Sequence, residues 1–102
     1  MRRAVAILVA FVAVAFVTVA AQAESKGEQV FKQNCAMCHK VKGQGGVIGP
    51  ELTKVAATLK EGALRAQLES PKKKNPSTSM PSFKTLPKAD MDALLAYLKT
   101  LK

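Results

Sequence analysis

The sequence predicts an all-α fold of three to five short helices, and three observations carry that prediction. Met91, Leu94, Leu95, Leu98 and Leu101 recur at the spacing that puts apolar side chains on one face of a helix. Ser25 and Glu28 form an S-x-x-E capping box ahead of Val30 and Phe31, the signature of a helix start. No internal repeat and no strand-like alternation of apolar and polar residues interrupts this pattern anywhere in the 102 residues.

The first 23 residues read as an address rather than as part of the fold. Arg2 and Arg3 supply a positive start, residues 4–20 are apolar except for Thr18, and Ala21, Gln22 and Ala23 form an AxA cleavage site. Such a cleavable signal peptide implies export to the periplasm, and its removal leaves no membrane segment. An uncleaved N-terminal anchor is the competing reading, because the apolar stretch approaches the roughly 18 residues that can span a bilayer.

Residues 24–102 then form one domain of 79 residues, of which about 38% are hydrophobic. A core that thin ordinarily needs a staple. The same segment holds thirteen lysines and Arg65 against seven acids, a balance of +7. Nucleic acid is a common partner for a basic chain, but no nucleic-acid motif is present and only three aromatics follow residue 23, namely Phe31, Phe83 and Tyr97. An acidic protein partner fits better, and the run Lys72, Lys73, Lys74 is the clearest candidate for steering it.

In chain order, the capping box predicts a helix over residues 26–34. Residues 42–50 carry four glycines and read as a loop that passes close to another group. Residues 53–59 and 62–69 read as short helical pieces with Val55, Leu59, Leu64 and Leu68 apolar, the second closed by Pro71. Residues 71–87 form a loop stiffened by four prolines, with Met80 at its middle. Pro87 suits the first turn of the last helix, where its missing N–H costs nothing.

Cys35, Ala36, Met37, Cys38 and His39 spell CxxCH, the attachment signature of a c-type haem. Two thiols three positions apart share one face of a helical turn and can form thioethers to the two vinyl groups of one porphyrin. The adjacent imidazole is then presented to the iron. A structural zinc would want a fourth ligand from a chain with two cysteines and one histidine, and a redox CxxC would want a βαβ context that is missing here. A covalently held, largely apolar porphyrin would also staple the thin core. The second axial ligand is expected from Met80, because Met37 lies inside the attachment motif and Met91 continues the apolar stripe of the last helix.

These features together resemble a small bacterial monohaem class I cytochrome c, over essentially all of residues 25–102. The resemblance implies that Gly27 and Phe31 on the first helix meet Leu94 and Tyr97 on the last. Gly49, Pro50, Glu51 and Leu52 match the family's GPxL segment, which implies that the Pro50 carbonyl accepts the Nδ1 proton of His39. Met80, Pro81, Ser82 and Phe83 match its methionine loop, so that Pro50, Leu52 and Phe83 belong to the haem pocket. The chain lacks the tryptophan with which many relatives bind the haem propionates, leaving Arg65, Lys54 and Thr78 as candidates.

With His39 and Met80 both on the iron there is no open position for a substrate. The expected function is therefore one-electron transfer between Fe(II) and Fe(III) by a periplasmic, monomeric carrier that is not an enzyme. A haem-bearing subunit of a periplasmic oxidoreductase complex is the alternative, and a haem enzyme or gas sensor a more distant one.

Overall fold

The computed structural model describes residues 24–102; the expected signal peptide and its cleavage site lie outside them. Among the described residues no helix is long and apolar enough to cross a membrane.

Helix α1 spans Lys26–Asn34, as the capping box predicts, and Ser25 Oγ accepts the Glu28 N–H at 3.1 Å. It ends at Cys35, whose backbone N–H still donates to Phe31 O at 2.7 Å. The last helix, α5, spans Lys88–Lys99 with Pro87 as its N-cap, and it buries Met91, Leu94, Leu95 and Leu98. Leu101 lies past its end yet is buried as deeply, so the apolar stripe outlasts the helix that it predicts.

These two helices pack against each other and organise the core. Gly27 lies so close to α5 that a Cβ there would stand 2.0 Å from the Ala93 carbonyl oxygen and 2.7 Å from the Tyr97 Cβ. The Phe31 and Tyr97 rings lie 5.6 Å apart at 52°, a tilted pair. The expected crossing of these helices is present, with Ala93 and Tyr97 as the residues closest to Gly27. Burial holds the Tyr97 hydroxyl above its ordinary pKa.

Between them the chain runs through α2 (Val55–Thr58), α3 (Glu61–Glu69) and α4 (Pro71–Lys74). The five helices among the described residues fit the expected range, with two differences of detail. Pro71 does end α3, but it also starts the one-turn α4, because its fixed φ suits a first helical position. The glycine-rich segment contains a hairpin that the sequence did not announce: β1 (Lys40–Val41) pairs antiparallel with β2 (Gln44–Gly45). Lys42 at φ 50° and Gly43 at φ 80° make its two-residue turn, which needs left-handed backbone at both positions. Two-residue strands are too short to show a period of two, so alternation could not reveal them.

Candidate cofactor site

The helices and the two long loops enclose a cavity of about 840 Å³, within the range of roughly 300–1,000 Å³ typical of cofactor sites. Cys35, Cys38, His39, Pro50, Leu52, Met80 and Phe83, all seven residues nominated from the sequence, line it. Leu59, Leu64, Leu68 and Leu98 add an aliphatic wall from α3, α5 and the end of α2.

α1 delivers the motif to this cavity, and the turn that follows it holds the motif there. Cys38 and His39 both donate their backbone N–H to Cys35 O, at 3.2 and 3.0 Å. Cys35 is buried and Cys38 half-buried, and neither is in a disulfide. Burial, with a smaller contribution from Cys38, pushes the Cys35 thiol up to about 11, so it stays protonated at neutral pH.

The imidazole is oriented from one side. His39 Nδ1 donates to the Pro50 carbonyl at 2.8 Å, which fixes the tautomer and leaves Nε2 free as a ligand. Gly49 makes that approach possible, because a Cβ there would stand 2.5 Å from His39 Cε1. Its backbone N–H donates to Cys38 O at 2.7 Å, which ties the glycine segment onto the motif. Gly46 is held similarly, with its N–H on Ala36 O at 2.8 Å. Gly46 and Gly49 thus serve close backbone approach, as the clustering predicts.

Met80 enters from the proline-rich loop. Its backbone N–H donates to Thr78 Oγ1 at 3.2 Å, and its sulfur accepts a hydrogen bond from Gln67 Nε2 at 3.7 Å. Met91 is buried in the core at 5% exposure and Met37 stands 84% exposed, so neither competes with Met80 for the cavity. Of the three propionate candidates, Lys54 and Thr78 line the cavity, whereas Arg65 is turned to Asp92 at 3.3 Å and to Glu69 at 3.8 Å on the helical surface. Sequence reasoning missed Gln67 altogether: a glutamine in mid-helix carries no motif, and only α3's placement shows where it points.

The residues present fit a c-type haem. They supply two thiols on one turn, an imidazole whose outer nitrogen is already hydrogen-bonded, a thioether, and apolar walls of suitable volume. Among the described residues no cluster of three or more His, Cys, Asp or Glu side chains could hold a metal ion.

The cytochrome c family profile matches residues 24–102, the whole of the described chain. The chain belongs to the cytochrome c family. Its cofactor is a covalently bound c-type haem, and the chemistry of the domain is one-electron transfer. It is 36% identical over 76 residues to a cytochrome c-553-like protein of Synechocystis, an alignment covering 74% of this chain and 67% of that one. It is likewise 36% identical over 73 residues to cytochrome c6 of Cyanidium caldarium, covering 71% and 65%. A third relative is cytochrome c oxidase subunit 2 of Alkalihalophilus pseudofirmus, 34% identical over 87 residues, covering 76% of this chain but 25% of that protein. The chain thus spans about two thirds of the length of the two small cytochromes and a quarter of the oxidase subunit.

Proposed function

We propose that this cytochrome c is a periplasmic electron shuttle in which Cys35 and Cys38 bind the haem, His39 and Met80 are the axial iron ligands, and residues 1–23 are a cleaved signal peptide. What supports the ligand assignment above all is that these four side chains line one cavity, with the outer nitrogen of the imidazole engaged by Pro50. When bound, the haem supplies the Fe(II)/Fe(III) couple.

The chain's own residues set the conditions for that couple. Cys35 and Cys38 would hold the haem through thioethers, which would tie the end of α1 and the turn after it to a single rigid plate. His39, held by Pro50 through Nδ1, would offer Nε2 to the iron. Met80 would supply the second ligand and so keep water and substrates off the iron, while Leu52, Phe83 and the aliphatic wall lower the local polarity, which would favour the reduced, less charged iron.

Charge distribution supports an acidic redox partner. Six of the seven acids after residue 23 sit in ion pairs among Glu24, α1, α3 and α5, such as Lys26–Asp90, Arg65–Asp92 and Lys99–Glu61. The seventh, Glu51, accepts from Thr53 at 3.0 Å. Lys40, Lys42, Lys54 and the 72–74 run stand in none of these pairs, so the surface bearing the two cavity-forming loops is basic. Exposed Met37, Val47 and Ile48 add apolar surface beside the attachment motif.

A second reading, a carrier working within an oxidase complex, is favoured by the match to part of cytochrome c oxidase subunit 2. Intact mass of the protein purified from its periplasm tests the main proposal. The expected species begins at Glu24 and carries one haem that acidified organic solvent does not extract; an unmodified chain refutes the covalent attachment. Copurification with catalytic subunits would support the second reading over the shuttle.

A further inference from the structure

Of the seven acids among the described residues, six stand within 4.0 Å of a lysine or arginine nitrogen. Glu51 is the exception, and it is also the one acid that lines the cofactor cavity.

Its carboxylate is held in place. Thr53 Oγ1 donates to Glu51 Oε1 at 3.0 Å and itself accepts the Lys42 N–H of the hairpin turn at 2.9 Å. The Leu52 N–H donates to Lys40 O at 2.9 Å, so the segment that carries Glu51 is fastened to the hairpin at two points. On its other side Glu51 directly follows Pro50, whose carbonyl accepts the Nδ1 proton of His39. One negative charge is thus fixed a single residue from the group that orients the imidazole. Lys54 is the only basic side chain of the cavity wall besides His39, and it forms none of the ion pairs. A haem propionate beside Lys54 would balance that lysine, whereas no cation answers Glu51.

An iron between a neutral imidazole and a neutral thioether gains one positive charge on oxidation. A carboxylate at the wall therefore favours Fe(III), in opposition to the apolar wall, which favours Fe(II). The size of the effect follows from Coulomb's law. Two unit charges about 10 Å apart shift an equilibrium about twofold in water and about fifteenfold at an effective dielectric constant of about 20.

We propose that Glu51 lowers the reduction potential of this cytochrome: its carboxylate, fixed by Thr53, stabilises the oxidised iron and offsets part of the rise that methionine ligation and burial bring. This rests on His39 and Met80 being the axial ligands. With the carboxylate in place, the reduced carrier gives up its electron more readily.

Potentiometric titration of the haem-loaded protein at neutral pH, followed in the visible spectrum, tests this. Glu51→Gln keeps the size and an acceptor for Thr53 but not the charge. At a fixed applied potential it should move the ratio of reduced to oxidised protein about two- to tenfold toward reduced, where tenfold corresponds to about 59 mV for a one-electron couple. Glu51→Ala should move it the same way, and it carries the test if the glutamine variant fails to take up haem. Glu51→Asp retains the charge and should stay closer to the parent than either neutral variant. Glu61→Gln removes a negative charge that pairs with Lys99 outside the cavity, and should leave the ratio unchanged. The methionine-to-iron charge-transfer band should persist in all of them, which separates an effect of charge from a lost ligand. Ratios equal to the parent's in both neutral variants overturn the inference. So does a shift as large in Glu51→Asp or Glu61→Gln, or one that appears only with loss of that band. A parent that lacks the band from the outset overturns instead the ligand assignment on which the inference rests.

Discussion

Gly27→Ala tests the packing on which the whole domain is built. An added Cβ would stand 2.0 Å from the Ala93 carbonyl oxygen, where ordinary contact begins at about 3.4 Å, so α1 and α5 must part by roughly 1.4 Å. Neither side can yield by rotating a side chain, because the obstacle is helical backbone. A gap of even 0.5–1 Å forfeits roughly a quarter to a half of the dispersion energy of the contacts it opens, and Val30, Phe31, Leu94 and Leu98 all lie in the buried core there. Overpacking of this kind costs about 1–3 kcal/mol, and the backbone obstacle places this site at the upper end. Alanine returns about 1 kcal/mol of helix propensity. The net loss is about 2 kcal/mol, which for a domain of this size lowers Tm by about 8–16 °C. Thermal melting of the haem-loaded protein, followed by far-UV circular dichroism, measures it. Because α1 ends at Cys35, the displacement should also disturb the haem environment. A variant that melts within about 2 °C of the parent would show that the interhelix contact is not as close as described.

The remaining predictions concern the ligands, acid sensitivity and docking. Met80→Ala should open a coordination position, lower the reduction potential and let the reduced protein bind carbon monoxide, whereas Met91→Ala should lose core stability, by about 2–5 kcal/mol, with an unchanged iron spectrum; the reverse pattern refutes the ligand assignment. Lys88 first, and Arg65 second, hold the Asp92 carboxyl below the usual carboxylate range, so its stabilisation is complete above the ordinary Asp pKa and is lost as pH falls through the depressed value. Asp92→Asn should therefore show a shallower acid-side loss of stability than the parent in denaturant titrations between about pH 5 and 2, and identical slopes would refute the pairing. Changing Lys72, Lys73 and Lys74 together to Glu should slow electron transfer with an acidic partner by roughly tenfold at low salt, the deficit shrinking as salt shortens the Debye length; equal low-salt rates in stopped flow would return these lysines to plain surface.

Much of this protein is determined locally and so could be read from the sequence. α1 follows from a Ser25 hydroxyl and its own backbone, and the five-residue attachment motif places its two thiols on one turn because helical geometry does so anywhere. The stripe on α5 requires a buried face whatever it packs against. Other features depend on which distant residues meet. Arg65 is as good a propionate candidate in sequence as Lys54, yet α3 turns it toward Asp92, 27 positions away, while Lys54 borders the cavity. The β1–β2 hairpin rests on a pairing too short to leave a pattern, and on left-handed backbone at Lys42 that its identity does not advertise. Gln67 reaches Met80 only because α3 passes alongside the methionine loop. Local propensity and covalent spacing act within a few residues and are written in order along the chain. A hydrogen bond between positions 67 and 80, or a carbonyl 2.0 Å from a missing Cβ, exists only after the core has closed.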